Sequence, residues 1–239
     1  MAGSEPAIWE AKGEDKRVRV QQMFADIAPR YDMLNGIMSL RQHHKWRRLA
    51  AAKLDLRPGD AVLDMCCGTG DFLPILREKV GPGGAITALD FCEPMLAQSQ
   101  PKDPAATLVL GDATNLPLAD NLFRGVTVGW GIRNVPDIDA AHREAFRVLQ
   151  SGGTFVSVDM ARPRNPLARV GSFVVNKIVL PVLGAIFRKR EAYTYLPEST
   201  ARFLDREGLR ASMERAGFVD VRMQDLFMGN ICIHWGRKA

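Results

Sequence analysis

A chain of 239 residues, 46% hydrophobic and 25% charged, has the apolar content for one large core and is neither low-complexity nor intrinsically disordered. Its formal charge of +5 and pI near 9.2 admit an anionic partner such as RNA or a lipid headgroup surface, but the excess is scattered and selects neither. The four cysteines lack paired metal-ligand spacing, and Met1–Pro6 lacks the basic and apolar blocks of a signal peptide. These features predict reduced thiols in the cytoplasm and no metal centre.

In chain order, residues 1 to about 13 read as disordered, and Val20, Met23, Phe24 and Ile27 then mark a helix over Lys16–Ile27, stopped by Pro29. A second helix is predicted over Ser39–Leu54 with Ser39 as its N-cap, and Arg57-Pro58-Gly59-Asp60 breaks it. Residues 1–57 are thus expected to be a helical cap before a core spanning 58–239. Strands are predicted at Ala61–Cys66, Ala85–Asp90, Thr107–Leu110, Gly125–Gly129 and Thr154–Asp159. Helices come between them, one to Val80, one from Pro94 and one over Asp137–Leu149, a βαβα rhythm that predicts a doubly wound α/β fold with a parallel sheet. The segment from about 163 to 204 departs from this rhythm. It is apolar from Val170 to Phe187 and flanked by Arg162, Arg164, Arg169, Arg188, Lys189 and Arg190. Its apolar run, interrupted by Asn176, Lys177 and Pro181, makes a poor membrane span; it reads equally as a helix buried against the sheet or as a greasy, surface-inserting lid. A helix over Arg210–Ala216 and strands at Val219–Leu226 and Asn230–Trp235 close the chain.

The most informative stretch joins the first two strands. The apolar run through Leu63 suits a buried parallel strand, and Gly68 and Gly70 allow a tight turn and close approach of a ligand at its carboxyl end. Asp90 ends the next strand, where a carboxylate can grip ribose hydroxyls. A dinucleotide fingerprint needs a third small residue where this chain has Leu73, and a Walker motif needs a lysine that is absent. A phosphate-free adenosine remains. After the third strand, Asp112 can accept from the adenine amine while the Ala113 backbone N–H donates to a ring nitrogen. Asp64-x-x-x-Gly68-x-Gly70 with Asp90 resembles the S-adenosylmethionine site of class I methyltransferases, with Cys66 where the fuller pattern has another glycine.

The acceptor is constrained by Gly129-Trp130-Gly131-Ile132-Arg133-Asn134-Val135-Pro136, after the fourth strand. It lacks the Asn/Asp, double-proline and aromatic set of base amino methyltransferases and the Pro-Cys nucleophile of pyrimidine C5 enzymes, which argues against a nucleic-acid acceptor. Three separated motifs, Tyr31-Asp32-Met33-Leu34-Asn35 with Ser39, His43 and Trp46, then Arg133-Asn134-Val135, then Arg147-Val148-Leu149-Gln150-Ser151-Gly152-Gly153 with Asp159, resemble the C-methyltransferases of ubiquinone and menaquinone biosynthesis over the whole length. That resemblance implies a Rossmann-like, mostly parallel seven-stranded sheet whose last strand is antiparallel, with residues 1–57 capping the substrate side. It implies S-adenosylmethionine held at Thr69, Asp90, Asp112 and Ala113 beside the glycine turn. A further family contact, often serine, falls on Gly129.

The implied reaction is attack by a ring carbon of a prenylated quinol on the sulfonium methyl. A phenol titrates near 10, so a group that stabilises its anion makes the neighbouring carbon nucleophilic, and Arg133 is the candidate, with Tyr31 and Asn134 orienting the hydroxyl or a water. A prenyl tail gives the apolar segment a job, with Phe173 to Phe187 as one wall of the opening and flanking cations favouring peripheral contact at the inner membrane face. A methyltransferase for another small phenolic or lipid acceptor would share every cofactor residue and differ only in the pocket; a noncatalytic adenosine- or RNA-binding protein is suggested by the basic pI, and Arg133-Asn134-Val135 argues against it. Nothing in the sequence measures pocket width or oligomeric state, so benzoquinol and naphthoquinol acceptors stand level.

Overall fold

The computed structural model describes residues 7–11, 13–175 and 190–239. Helices α1 (Gly13–Ile27), α2 (Tyr31–Met38) and α3 (Gln42–Ala51) precede β1 (Ala61–Met65), α4 (Leu73–Val80), β2 (Ala85–Asp90), α5 (Glu93–Ser99), β3 (Thr107–Leu110), β4 (Phe123–Gly129), α6 (Ile138–Val148) and β5 (Leu149–Met160). Then come α7 (Pro166–Val174), α8 (Arg190–Arg202), α9 (Arg206–Arg215), β6 (Val219–Leu226) and β7 (Ile231–Arg237). The seven strands form one sheet in the order β3-β2-β1-β4-β5-β7-β6, parallel except for β7, which runs antiparallel between β5 and β6. Strand order reverses between β1 and β4, and in open α/β sheets a ligand binds at that switch point, outside the strands' carboxyl ends.

Side-chain alternation along the strands sorts the core into two layers. Leu63, Val126 and Phe155 pack with α6 and α9, where Phe155 stacks on Phe218 at 5.3 Å, while Val62, Ile86, Val156 and Val158 pack with α3 and α4 on the opposite face. The helix over 39–54 is shorter than the pattern suggests, and α2 is an addition to it. Ser39 caps the C-terminus of α2 instead of starting α3: its N–H meets the Asn35 carbonyl, its hydroxyl donates to that carbonyl at 2.6 Å, and Leu40 and Arg41 then reverse the chain with positive φ. The tail is ordered earlier than expected as well, because Ile8 is buried against Val20, Met23 and Tyr195. The apolar segment is described as far as Val175; its remainder, with Arg188 and Lys189, lies outside the described residues.

Candidate active site

Two cavities open at the carboxyl end of the sheet and share the walls Phe24, Tyr31 and Trp130. The smaller lies over β1, β2 and β3, where Gly68, Asp90, Asp112, Ala113 and Gly129 line it. The Gly68 N–H donates to Asp90 Oδ2 at 2.8 Å and the Cys92 N–H to Oδ1 at 2.9 Å, so the carboxylate is fixed by the turn it faces. Burial pushes Asp90 up to about 6 against these bonds. Gly68 sits at φ +56°, and a Cβ there would meet only Tyr31 at 4.0 Å, which leaves its open side to a ligand. Asp112 Oδ1 accepts from the Thr114 N–H and hydroxyl at 2.8 and 2.7 Å. Cys66, in place of the pattern's glycine, and Trp130 are both left-handed at φ +59° and +57°, a strained pair on one cavity wall.

Three sequence-derived positions stand behind that wall. Gly70, at φ +81°, is a packing glycine whose Cβ would fall 2.6 Å from Ser99 Cβ. The Thr69 hydroxyl donates to Asp32 at 2.5 Å and accepts from Lys102 at 3.3 Å. Asp64 is buried in β1, accepts from Thr127 at 2.9 Å through Oδ1, and leaves Oδ2 without a partner; burial pushes it up to about 7. At Gly129 an added Cβ would meet Phe72 at 2.8 Å, so the aromatic ring leaves no room for the serine that the resemblance suggests.

An unfolded aspartate titrates at about 3.9, so between that value and about 7 the folded protein alone holds Asp64's proton, and stability falls as pH rises through this window. Asp64→Asn keeps an acceptor for Thr127 and removes the cost. The ligand-free variant is expected to melt roughly 4 °C or more above wild type at pH 8, the gap closing towards pH 4. Parallel melting curves across that range would refute this account.

The larger cavity, about 750 Å³, is lined by α1–α3, the end of β5, α7 and α8, a volume within the range of small-molecule sites. Arg133 lies buried on its wall, donating from Nη1 to Asp159 Oδ1 at 2.6 Å and to the Trp130 carbonyl at 2.8 Å, with Nε unpaired. Burial works against its charge, but Asp159 outweighs burial and keeps the guanidinium ionised. Asn134 faces the smaller cavity. Its amide donates to the Trp130 carbonyl at 3.0 Å, and its Oδ1 accepts from the Tyr195 hydroxyl at 2.9 Å. Burial raises the Tyr31 phenol, and pushes Tyr195 up to about 12, so both are hydrogen-bond donors at neutral pH.

Thus Tyr31, Trp130, Arg133 and Asn134 meet where the cavities join, and sequence reading assigned no role there to Asp159, Tyr195, Arg47 or Lys102. Asp159 and Arg47 stand in or beside the motifs, but the only signal for Tyr195 was its place in the irregular segment. His43, His44 and Asp71 place ligand atoms within 4.8 Å of one another, and the two imidazole rings lie 4.0 Å apart. Asp71 is already engaged by Lys102 at 2.5 Å and Arg47 at 3.3 Å, and two fixed cations oppose a divalent ion there. His43 instead shares a hydrogen with Ser39 at 2.5 Å, and burial, with Arg47 beside it, pulls it down to about 4.

The model of the ubiE/COQ5 methyltransferase family matches residues 11–238. The demethylmenaquinone methyltransferase of Desulfitobacterium hafniense (strain Y51) is 39% identical, covering 98% of this chain and 96% of that protein. The enzyme of the same name from Staphylococcus aureus (strain JH9) is 38% identical over 95% of this chain and 96% of its own. Among solved structures, a SAM-dependent methyltransferase from Thermotoga maritima superposes with a TM-score of 0.67 at 20% identity, covering 92% of this chain and 99% of that one, a likeness of fold.

Proposed function

The chain belongs to the ubiE/COQ5 methyltransferase family, and from that premise we propose that it transfers a methyl group from S-adenosylmethionine to a ring carbon of a prenylated quinol. The observation that carries this reading is the junction of a cavity lined by Gly68, Asp90, Asp112 and Ala113 with a large apolar one at Tyr31 and Trp130, beside a buried guanidinium. When bound, S-adenosylmethionine supplies an electrophilic methyl group. The residues fit it: Gly68 presents an open backbone, Asp90 keeps lone pairs for ribose hydroxyls after accepting its two backbone bonds, and Asp112 and Ala113 line the cavity where they would meet an adenine. Asp64, Thr69 and Gly70 hold the shape of the turn from behind.

On the acceptor side, Arg133 stabilises the anion that forms as the ring hydroxyl loses its proton, with Asp159 keeping the guanidinium charged and aimed. Its Nε has no partner, so the guanidinium keeps donor capacity for that oxygen. Tyr31 and the Tyr195–Asn134 pair orient the hydroxyl or a water that receives its proton. The test is incubation of the purified protein with methyl-labelled S-adenosylmethionine and short-chain demethylated naphthoquinol or benzoquinol under reducing conditions. One labelled methyl on ring carbon is expected; transfer to oxygen, or none to either ring, would overturn the reading.

Peripheral contact with a membrane is part of the same proposal. No helix among the described residues is long and apolar enough to cross a bilayer, yet Leu167 is 79% and Met228 70% exposed at the rim of the acceptor cavity, with Val170, Phe173 and Phe227 exposed as well. Arg164 and Arg169 flank the patch and each adds about 1 kcal/mol at an anionic surface. The protein is expected to sediment with vesicles containing phosphatidylglycerol, and a Leu167→Ser, Phe173→Ser variant to remain in the supernatant. Equal sedimentation of both would remove the patch from membrane contact.

A further inference from the structure

α3 carries a second buried cation that the reaction above leaves unused. Arg47 is 6% exposed, its guanidinium lies 4.6 Å from the Trp130 ring centroid and 5.6 Å from that of Phe72, and its Nε and Nη1 have no hydrogen-bond partner. Nη2 approaches Asp71 Oδ2 at 3.3 Å, but Asp71 also receives Lys102 at 2.5 Å. Burial alone would raise the Asp71 carboxyl; Arg47, Lys102 and His43 together hold it below its usual range, so one ionised carboxylate serves several cations. A buried guanidinium with two idle donors and a shared counter-ion lacks an anion.

Its position says which. Asp71 follows the glycine turn at the end of β1, and Arg47 Nε lies 3.8 Å from the Cβ position of Gly129 at the end of β4. These strands are neighbours, so the guanidinium spans the gap between their carboxyl ends. The groups that face a nucleoside, Asp90 and Asp112, stand on the other side of β1, at the ends of β2 and β3. Gly68 and Gly129 line the same cavity between those carboxylates and Arg47, so a nucleoside seated there would have its 5′ substituent on the Arg47 side. Asp71 is already shared between Lys102 and Arg47, so it does not satisfy the idle donors of the guanidinium. We infer that Arg47 binds the α-carboxylate of the cosubstrate's amino-acid arm. This rests on the S-adenosylmethionine reading of the smaller cavity. Arg47 lines the acceptor cavity and stands behind the Gly129–Trp130 wall of the smaller one, but on the acceptor side Arg133 already offers a donor, and a neutral quinol brings no charge to balance a second guanidinium.

Calorimetric binding of S-adenosylhomocysteine and of 5′-methylthioadenosine, the same nucleoside without the amino-acid arm, separates the alternatives. Wild type is expected to favour S-adenosylhomocysteine. Arg47→Met should weaken that ligand roughly 10- to 100-fold and move methylthioadenosine less than about threefold, with Arg47→Lys between. Unchanged affinity of Arg47→Met for S-adenosylhomocysteine, or equal weakening of both ligands, overturns the assignment. Should Arg47→Met not fold, wild type alone decides: removing the α-carboxylate from the homocysteine arm must cost a similar factor, and a tie sinks the idea. Wild type that binds neither nucleoside removes the cofactor reading itself.

Discussion

Arg133→Ala is expected to lower turnover by about 10²–10³-fold while S-adenosylhomocysteine affinity stays within a few fold, because the loss falls on charge that develops only as the acceptor reacts. The geometry makes the variant informative and also hazardous. Arg133 and Asp159 are both buried, and deleting the guanidinium leaves the carboxylate without its ion pair, a change that costs about 3–5 kcal/mol in buried pairs. A fall in activity from unfolding must therefore be separated from a fall in chemistry. Arg133→Ala combined with Asp159→Asn removes the orphan charge and keeps an acceptor for the Met160 N–H, which Asp159 Oδ1 now serves at 2.7 Å. The double variant should regain most of the melting temperature and none of the turnover. Turnover that returns with stability would reduce Arg133 to a structural role, and near-normal turnover in the single variant would end its catalytic assignment.

If Asp90 holds the ribose as proposed, Asp90→Asn should weaken S-adenosylhomocysteine roughly 10²–10³-fold, since it would replace charge-assisted bonds to ribose hydroxyls and turns one carboxylate oxygen into a donor that opposes a backbone N–H. The pH dependence gives this prediction a second arm. Burial pushes Asp90 up to about 6, and ribose hydroxyls donate to the ionised form. Affinity of wild type should therefore rise as pH goes from 5 to 7 and level off above, while Asp90→Asn is weak and nearly flat over the same interval. A wild-type profile that is flat through pH 6 would mean that the buried carboxyl is already ionised or is not in contact with the ligand. Methylthioadenosine should show the same profile, because it carries the same ribose; this keeps the Asp90 effect apart from that of Arg47.

Residues acting through their neighbours in sequence were legible before any coordinates. The strand–turn–helix at Ala61–Val80, the strand ends at Asp90 and Leu110 and the irregularity after Pro163 follow from period, glycine and proline, which act within a few residues. So do Gly68, Asp90, Asp112 and Ala113, which line the smaller cavity because they terminate strands of one sheet. The same logic overreached at Ser39, where a serine beside an apolar stripe reads as an N-cap, but left-handed Leu40 and Arg41 make it the end of one helix and not the start of the next.

Sequence alone determined the α/β class, the carboxylates Asp90 and Asp112 at the strand ends and the motifs that carry the family resemblance, because each is written in local spacing. Only the tertiary structure decided which polar groups are in play. It put Thr69 and Asp64 behind the cavity wall, paired Arg133 with Asp159 and Asn134 with Tyr195 across long stretches of chain, and left Arg47 with idle donors. The physical reason is that a charge's worth depends on burial and on partners brought by other elements, and neither is a property of the residues next to it in sequence.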